Sequence, residues 1–314
     1  MALIKVNNRG QSDNLGRRNL IINGAMQVWQ RGTSHANTTA VAYYADRWKH
    51  QNRQSSQTDI VLVENQDIGD GVMNVYKITV DTPPTDTNLL VNQFIEDGSF
   101  TVLDKDITIS WYARQSTGSG VTTSANVEVD SGVDYTGTGT NNNLTSSWQR
   151  FTQTFSVSGY TASDVSDASL RLQIFFKGVS SLDVVEFTGV QLEVGTRATP
   201  FEHRSFAEEL SLCQRYYFET NKITGQVANA SNAIFQGLFR TEMRTRPTVS
   251  GGPYTIWQMT VAGSKTQSSA NNNADTNQNN RQSFNIQCGN FSGLSQYYPV
   301  GIASGGPIKF DSEL

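Results

Sequence analysis

The sequence predicts an all-β protein: an antiparallel β-sandwich followed by a short helix and a second, smaller β domain. Apolar and polar residues alternate with the strand period over several segments. Turn-rich stretches separate these segments, such as Asp81–Asp86 with its Pro83-Pro84 pair, Thr117–Thr123 and Gly137–Asn143. Many short strands broken by such turns are the pattern of an antiparallel sandwich. Beyond them, Ser205 opens a stretch of helical period, and strand-like segments resume after it.

Taken in order, residues 1–18 are polar, carry Lys5, Arg9, Arg17 and Arg18, and show no sustained period. They read either as a disordered terminus or as an anchoring segment. Asn19–Ile22 reads as an apolar strand, Asn23-Gly24 as a turn and Met26–Gln30 as a second strand. Trp29 and Trp48 are expected in the core, because large aromatics mostly supply core area, with a sugar platform as the alternative. Asp59–Glu64 and Asn74–Val80 alternate. Asp106–Arg114 puts Ile107, Ile109, Trp111 and Ala113 on one face and Thr108, Ser110 and Tyr112 on the other. Asn88–Glu96 fits a helical turn or a strand. Phe151–Val157 alternates with Gln153 interrupting, and Ser169–Lys177 places Leu170, Leu172, Ile174 and Phe176 together.

Asp183–Val194 also alternates, but its phase slips between Phe187 and Val190. An extra residue near Thr188-Gly189 explains the slip, since Gly is a common bulge residue. A turn from Gly195 to Pro200 leads to the helix. There Ser205 and Glu208 have capping-box spacing. Phe206, Leu210, Cys213 and Tyr217 would form its apolar face, with Glu208, Glu209 and Arg215 outside. Ile223–Arg240 and Pro247–Thr260 read as strands, the latter broken by Gly251-Gly252-Pro253. Ser264–Ser283 is a low-complexity polar tract, read as a long exposed loop or disorder. Ser283–Cys288 and Pro299–Ile308 complete the small domain. The expected organisation is 1–18, 19–200, 201–217 and 218–314.

The 314 residues carry a formal net charge of −4, without the basic footprint expected of a nucleic-acid binder. No apolar run reaches the roughly 18 residues of a membrane helix. The N-terminus lacks an apolar signal-peptide core, so Sec export is not expected. Cys213 and Cys288 are too few for a disulfide framework and read as reduced, buried thiols. His35 and His50 are expected at the surface, and His35, His50 and His203 have no metal-ligand spacing. GxSxG, Walker and GxGxxG motifs are missing, so no catalytic residue, metal or cofactor is expected and the chain reads as a non-enzyme. The carboxylates of Asp104, Asp106, Asp164 and Asp167 lie near turns, and those of Glu208 and Glu209 at the helix start, where acid suits the dipole. Asp46 reads as a partner for Arg47. Sugar binding needs aromatic faces beside amides, and Trp257, Tyr297 and Tyr298 lie next to Asn- and Gln-rich loops.

The stretch GVQLEVGTRATPFEHRSFAEELSLCQRYY, from Gly189 to Tyr217, resembles a segment of many bacteriophage structural proteins, tail-fibre-like proteins especially. NLIINGAMQVWQRGTS (Asn19–Ser34) with YYADRW (Tyr43–Trp48) resembles the opening of the same domain, a jelly roll similar to carbohydrate-binding modules. FRTEMRTRPTVS (Phe239–Ser250) and FDSEL (Phe310–Leu314) resemble the small domain that follows it. The resemblance implies a sheet-crossing element at Gln93, Ile95 and Glu96. It also implies a virion protein, a tail fibre or related appendage that attaches to host-surface glycans. Such a protein would be a homotrimer, joined to other virion proteins through residues 1–18. A head fibre or capsid decoration protein, or an accessory carbohydrate-binding module of a polysaccharide-degrading system, are the other readings. Related jelly rolls often hold a structural calcium through acidic residues, but Gln27 and Thr188-Gly189 stand at the corresponding places, so calcium is not expected there.

Overall fold

The computed structural model describes residues 18–313 apart from 52–53, 97–101, 103–104, 130–132, 135–138, 158–169, 222, 261–262, 269–270 and 274–279. The proposed attachment segment lies outside the described residues save for Arg18, as do Asp104, Asp164 and Asp167. The chain forms two compact units, Met1–Arg204 and Ser205–Leu314.

The strands of the first unit are β1 (Ser34–Thr38), β2 (Ala42–Tyr43), β3 (Lys49–Gln51), β4 (Gln57–Asp67), β5 (Val72–Thr82), β6 (Asn88–Ile95) and β7 (Lys105–Thr117). They continue with β8 (Thr122–Val129), β9 (Val133–Asp134), β10 (Asn142–Asn143), β11 (Gln149–Val157), β12 (Leu170–Lys177) and β13 (Val184–Val194). One sheet runs β1-β4-β5-β13-β7-β11 and the other β10-β8-β12-β6-β3-β2, with β9 on β8. From β5 to β8, and again from β11 to β13, each successive strand lies in the other sheet. This antiparallel winding is a jelly-roll sandwich.

The alternation sets the core. Ile107, Ile109, Trp111 and Ala113 of β7 join one cluster with Leu170, Leu172, Ile174 and Phe176 of β12. Each large side chain buried there contributes about 1.5–3 kcal/mol. Trp48 and Trp111 are both fully buried. Trp48 meets Phe187 edge-on at 5.8 Å and donates from Nε1 to the Asn23 carbonyl at 2.9 Å. Gln153, the polar residue in the apolar phase of β11, accepts from the Ala125 N–H at 3.0 Å and donates to the Thr140 carbonyl at 2.6 Å.

The phase slip in β13 is a bulge. Its register against β7 shifts between Thr188 and Gln191, and Gly189 has a φ of 59°. Val185 and Phe187 before it, and Val190 and Leu192 after it, therefore all reach the core. The bulge receives the N-terminal segment. Val190 N–H donates to the Gly24 carbonyl at 3.0 Å, and Leu20 N–H to the Leu192 carbonyl at 3.0 Å. A Cβ on Gly24 would stand 2.3 Å from the Val190 carbonyl oxygen, so this approach requires glycine.

Asn19–Ile22 and Met26–Gln30 are not strands, contrary to the reading of their apolar content. Side chains take the backbone groups that a ladder would use. Asn19 Oδ1 accepts from Ile21 N–H at 3.0 Å and Leu192 N–H at 3.1 Å, while its Nδ2 donates to the Val190 carbonyl at 3.1 Å. Asn23 accepts from Val28 N–H at 3.0 Å and donates to the Val28 and Asp46 carbonyls at 2.8 and 3.0 Å. Gln93 brackets Ile22, accepting from its N–H and donating to its carbonyl, both at 2.8 Å. The ambiguous Asn88–Glu96 is thus a strand over Asn88–Ile95, and Gln93 ties it to the chain's opening.

One further expectation is corrected. His50 is fully buried rather than at the surface, stacked on Tyr76 at 6.4 Å, because β3 turns it inward opposite Val91. Asp46 also holds Gln30 and Arg31. It accepts from Gln30 N–H at 2.6 Å, Gln30 Nε2 at 2.7 Å and Arg31 Nη1 at 3.4 Å. Arg47, at a φ of 71°, donates to the Phe94 carbonyl.

In the second unit, α1 spans Phe206–Gln214, and the Ser205 side chain accepts from Glu208 N–H at 3.3 Å. Its buried residues are Glu209, Cys213 and Gln214, whereas Phe206 is 57 % exposed. The predicted apolar face is therefore wrong at Phe206, and Glu209 is not on the outer side. The helix ends before Tyr217, which already belongs to a strand, so the inward face is set by Glu209 and Cys213, one turn apart.

The strands that follow are β14 (Tyr217–Thr220), β15 (Thr224–Asn229), β16 (Asn232–Leu238), β17 (Thr248–Ser250) and β18 (Thr255–Thr260). Then come β19 (Gly263–Ser268), β20 (Asn271–Asn273), β21 (Ser283–Gly289), β22 (Pro299–Ser304) and β23 (Ile308–Asp311). A three-stranded sheet, β14-β23-β17, accompanies a seven-stranded one, β19-β18-β22-β15-β16-β21-β20. Between them Phe218, Phe239, Phe284 and Phe310 pack with centroids 4.7 to 5.9 Å apart. The polar tract after Ser264 is not simply a loop: β19 pairs with β18, and β20 with β21. Backbone pairing with a neighbouring edge needs no apolar side chain, which the compositional reading overlooked.

Cys213 and Cys288 are free and buried. Burial pushes the Cys288 thiol up to about 12. Since the thiolate is the reactive form, native protein is expected to resist a thiol-specific reagent at mildly alkaline pH. It should react at both positions once denatured, and rapid labelling of the native chain would contradict this burial.

Candidate functional site

Residues that alternate with the core positions of β6, β12 and β8 form the face of the second sheet turned away from that core. The pairing arranges them in rows. Asn92 lies opposite Gln173, Gln173 opposite Asn126, and Lys49 of β3 opposite Asn92. The next row is Phe94, Arg171 and Glu128. On the other side stand Leu90, Phe175 and Ser124. Neighbouring strands lie about 4.8 Å apart, so the amide row spans roughly 10 Å.

The amides are sunk in this face. Asn92, Gln173 and Asn126 are 0 %, 4 % and 7 % exposed. Both polar atoms of the Asn92 side chain, Oε1 of Gln173 and Oδ1 of Asn126 have no hydrogen-bond partner among the described residues. Leaving a buried polar group unsatisfied costs about 1–3 kcal/mol. Cationic groups lie over the flanking rings. Lys49 Nζ is 5.4 Å and Arg171 Cζ 5.8 Å from the centre of Phe94, and Lys177 Nζ is 5.3 Å from that of Phe175. Arg171 also pairs with Glu128, and burial lowers its pKa. Such cation–ring contacts are worth about 0.5–1 kcal/mol each at exposed sites. The larger energy therefore resides in the unpaired amides.

An amide presents a donor and an acceptor side by side, which matches neighbouring hydroxyls of a sugar. Phe94 and Phe175 offer apolar faces for the C–H side of a pyranose ring.

The residues singled out from sequence lie elsewhere. Trp257, Tyr297 and Tyr298 belong to the second unit. Trp257 is half-buried on β18 opposite Gly301 of β22. Tyr297 is 77 % exposed at a φ of 68°, and Tyr298 is half-buried. Tyr297 precedes Gly301 by four residues, roughly 13 Å if the chain is extended. The residues of the jelly-roll face were nonetheless visible in the sequence: Arg171, Gln173, Phe175 and Lys177 fill every position between the apolar ones of β12.

At the place where related jelly rolls hold calcium, Thr188 Oγ1 donates to the Asn74 carbonyl at 2.5 Å, and Gln27 Oε1 is buried without a partner. Neither Gln27, Thr188 nor Gly189 brings a carboxylate, so this donor set does not suit a hard cation. Among the described residues no group of three or more His, Cys, Asp or Glu side chains is placed to hold a metal ion.

No protein-family model matches the chain, and no curated protein matches it either. Solved structures similar to the chain include the CBM22-1 xylan-binding domain of Paenibacillus barcinonensis. It is 13 % identical, with 58 % of this chain and 99 % of that one covered and a TM-score of 0.36. A Stig cyclase from Fischerella sp. TAU is also 13 % identical, over 58 % of this chain and 99 % of that one, with a TM-score of 0.40. The enzymatically active domain of tailspike protein 4 from bacteriophage CBA120 is 10 % identical, over 56 % of this chain and 21 % of that one, with a TM-score of 0.34. The expectation of a non-enzyme is corrected here, because two of these three structures are of enzymes. Catalytic groups on a sheet face come from several strands, and linear motifs do not record such constellations.

Proposed function

We propose that the chain is a glycan-binding virion protein, a tail fibre or related appendage, whose jelly roll holds host-surface glycan on the face of its second sheet turned away from the core. The observation that carries the reading is the row of buried, unpaired amides between Phe94 and Phe175. The virion assignment is supported by the resemblance of Asn19–Ser34, Tyr43–Trp48 and Gly189–Tyr217 to phage tail-fibre-like proteins. A glycan array probed with wild type and with the double variant Gln173→Ala/Phe175→Ala tests the site. The variant is expected to lose at least about tenfold in affinity, or ~1.4 kcal/mol. Its melting temperature should hold, because the Gln173 amide makes no internal bond at Oε1. Equal binding by both proteins would remove the site.

The protein is proposed to act as a homotrimer attached through residues 1–18, as the resemblance implies. Several weak sugar contacts engaged together gain avidity. Light scattering is expected to give a trimer; a concentration-independent monomer would contradict it. Deleting residues 1–18 is expected to abolish incorporation into particles while glycan binding persists. In labelled virions, density on the capsid rather than the tail would favour a head-fibre or decoration role. No virion density at all would favour an accessory binding module.

A further inference from the structure

The outer face of the seven-stranded sheet in the second unit has a different character from the jelly-roll face. One row crosses five strands. Trp257 of β18 lies opposite Gly301 of β22, and Gly301 opposite Thr224 of β15. Thr224, one residue before the Gly225–Phe235 pair, falls beside Gln236 of β16, which lies opposite Asn285 of β21. The parallel row places Pro299, Gln226, Ile234 and Gln287 side by side. Neither row contains a charged residue, in a chain whose charged content is 17 %.

The glycine in the first row is required by the tryptophan. A Cβ on Gly301 would stand 2.5 Å from Cε2 and Cζ2 of Trp257 and 2.6 Å from its Nε1. The indole therefore lies down across the neighbouring strand, with its far side turned outward. Two depressions adjoin at Gln236. One of about 320 Å³ is lined by Thr224, Gln226 and Ile234, and one of about 440 Å³ by Leu238, Ser283 and Asn285. The row spans four inter-strand steps, roughly 19 Å. Each step is close to the repeat of a linear, β-linked pyranose chain.

We infer that this face is a second carbohydrate site, taking a linear neutral oligosaccharide with one ring on the Trp257 indole and the next units along Thr224, Gln236 and Asn285. Neutrality follows from the charge-free rows: an anionic glycan would find no cation there to offset its desolvation. An aromatic ring lying on the sheet supplies an apolar platform, and side-chain amides in register supply paired donors and acceptors for ring hydroxyls. Leu238 and Met259 are exposed on the same sheet. Three inter-strand steps separate the strands that carry them, whereas an interface between copies would call for a continuous apolar patch. The site is distinct from the jelly-roll face and does not depend on it.

The test uses the full chain, titrated calorimetrically with cello-, xylo-, malto- and chito-oligosaccharides. In the Gln173→Ala/Phe175→Ala background, binding to one of these neutral oligosaccharides is expected to remain. Adding Gln236→Ala and Asn285→Ala, both on the sheet surface, should weaken that binding at least about tenfold. Trp257→Phe, which keeps a ring, should weaken it less. Binding that survives the Gln236 and Asn285 substitutions overturns the inference. So does the absence of any binding in the jelly-roll background, or failure of the wild type to bind the whole panel at millimolar concentration. If the substitutions change sedimentation rather than binding, the face is a contact between copies and the inference is also wrong. Failure of the jelly-roll reading looks different: there, Gln173→Ala/Phe175→Ala would leave all binding unchanged.

Discussion

Replacing Trp111 with alanine is expected to destabilise the first unit by about 3–5 kcal/mol, the usual cost of truncating a buried large aromatic. The side chain is fully buried on β7. It packs on Phe151 with ring centroids 5.7 Å apart and donates from Nε1 to Thr123 Oγ1 at 3.2 Å. The substitution therefore opens a cavity between the two sheets and leaves a threonine hydroxyl without its donor. For a domain of this size the melting transition should fall by roughly 6–20 °C. Because the second unit has its own core around Phe235 and Phe310, only one transition should move if the units melt separately. An unchanged melting profile would mean that the β7 faces are assigned the wrong way round.

Asn19→Ala is expected to have a comparable effect although it removes little apolar area. One side chain satisfies three buried backbone groups: the N–H of Ile21, the N–H of Leu192 and the carbonyl of Val190. With three orphaned groups costing about 1–3 kcal/mol each, the loss should reach roughly 3–9 kcal/mol. The segment carrying Ile21, Met26 and Trp29 would come loose from the bulge of β13. Hydrogen exchange should then rise at Leu20, Val190 and Leu192, whose N–H groups bond across this seam. Aspartate at the same position keeps the acceptor and loses the donor to Val190, so it should fall between alanine and wild type. A full-strength seam in the alanine variant would show that the N-terminal segment is held by its apolar contacts instead.

The sandwich was legible wherever one residue in two had to be apolar. The faces of Asp106–Arg114 and Ser169–Lys177 follow from alternation, and so does the bulge at Thr188-Gly189, because a slip in phase has only one geometric cause in a paired strand. The opening segment was misread because its apolar content resembles a strand, while its backbone is held by Asn19, Asn23 and Gln93, the last contributed by a strand far along the chain. His50 was misplaced for a related reason: a polar side chain can be carried inward by the register of its neighbours. Strands β19 and β20 were hidden in a polar tract because backbone pairing leaves no mark in composition. The residues of the jelly-roll site were each readable as the outward positions of their strands. Their meeting was not, since Asn92, Gln173 and Asn126 come from strands that the sandwich brings together from distant parts of the chain.

The side-chain amide groups of Asn92, Gln173 and Asn126 give NMR signals of their own, and titrating them with a bound glycan tests the central claim most directly. These signals are expected to shift with the binding isotherm, and their exchange with solvent to slow as the amides gain hydroxyl partners. Binding that leaves all three sets of amide signals unmoved would contradict the assignment of the jelly-roll face as a glycan site.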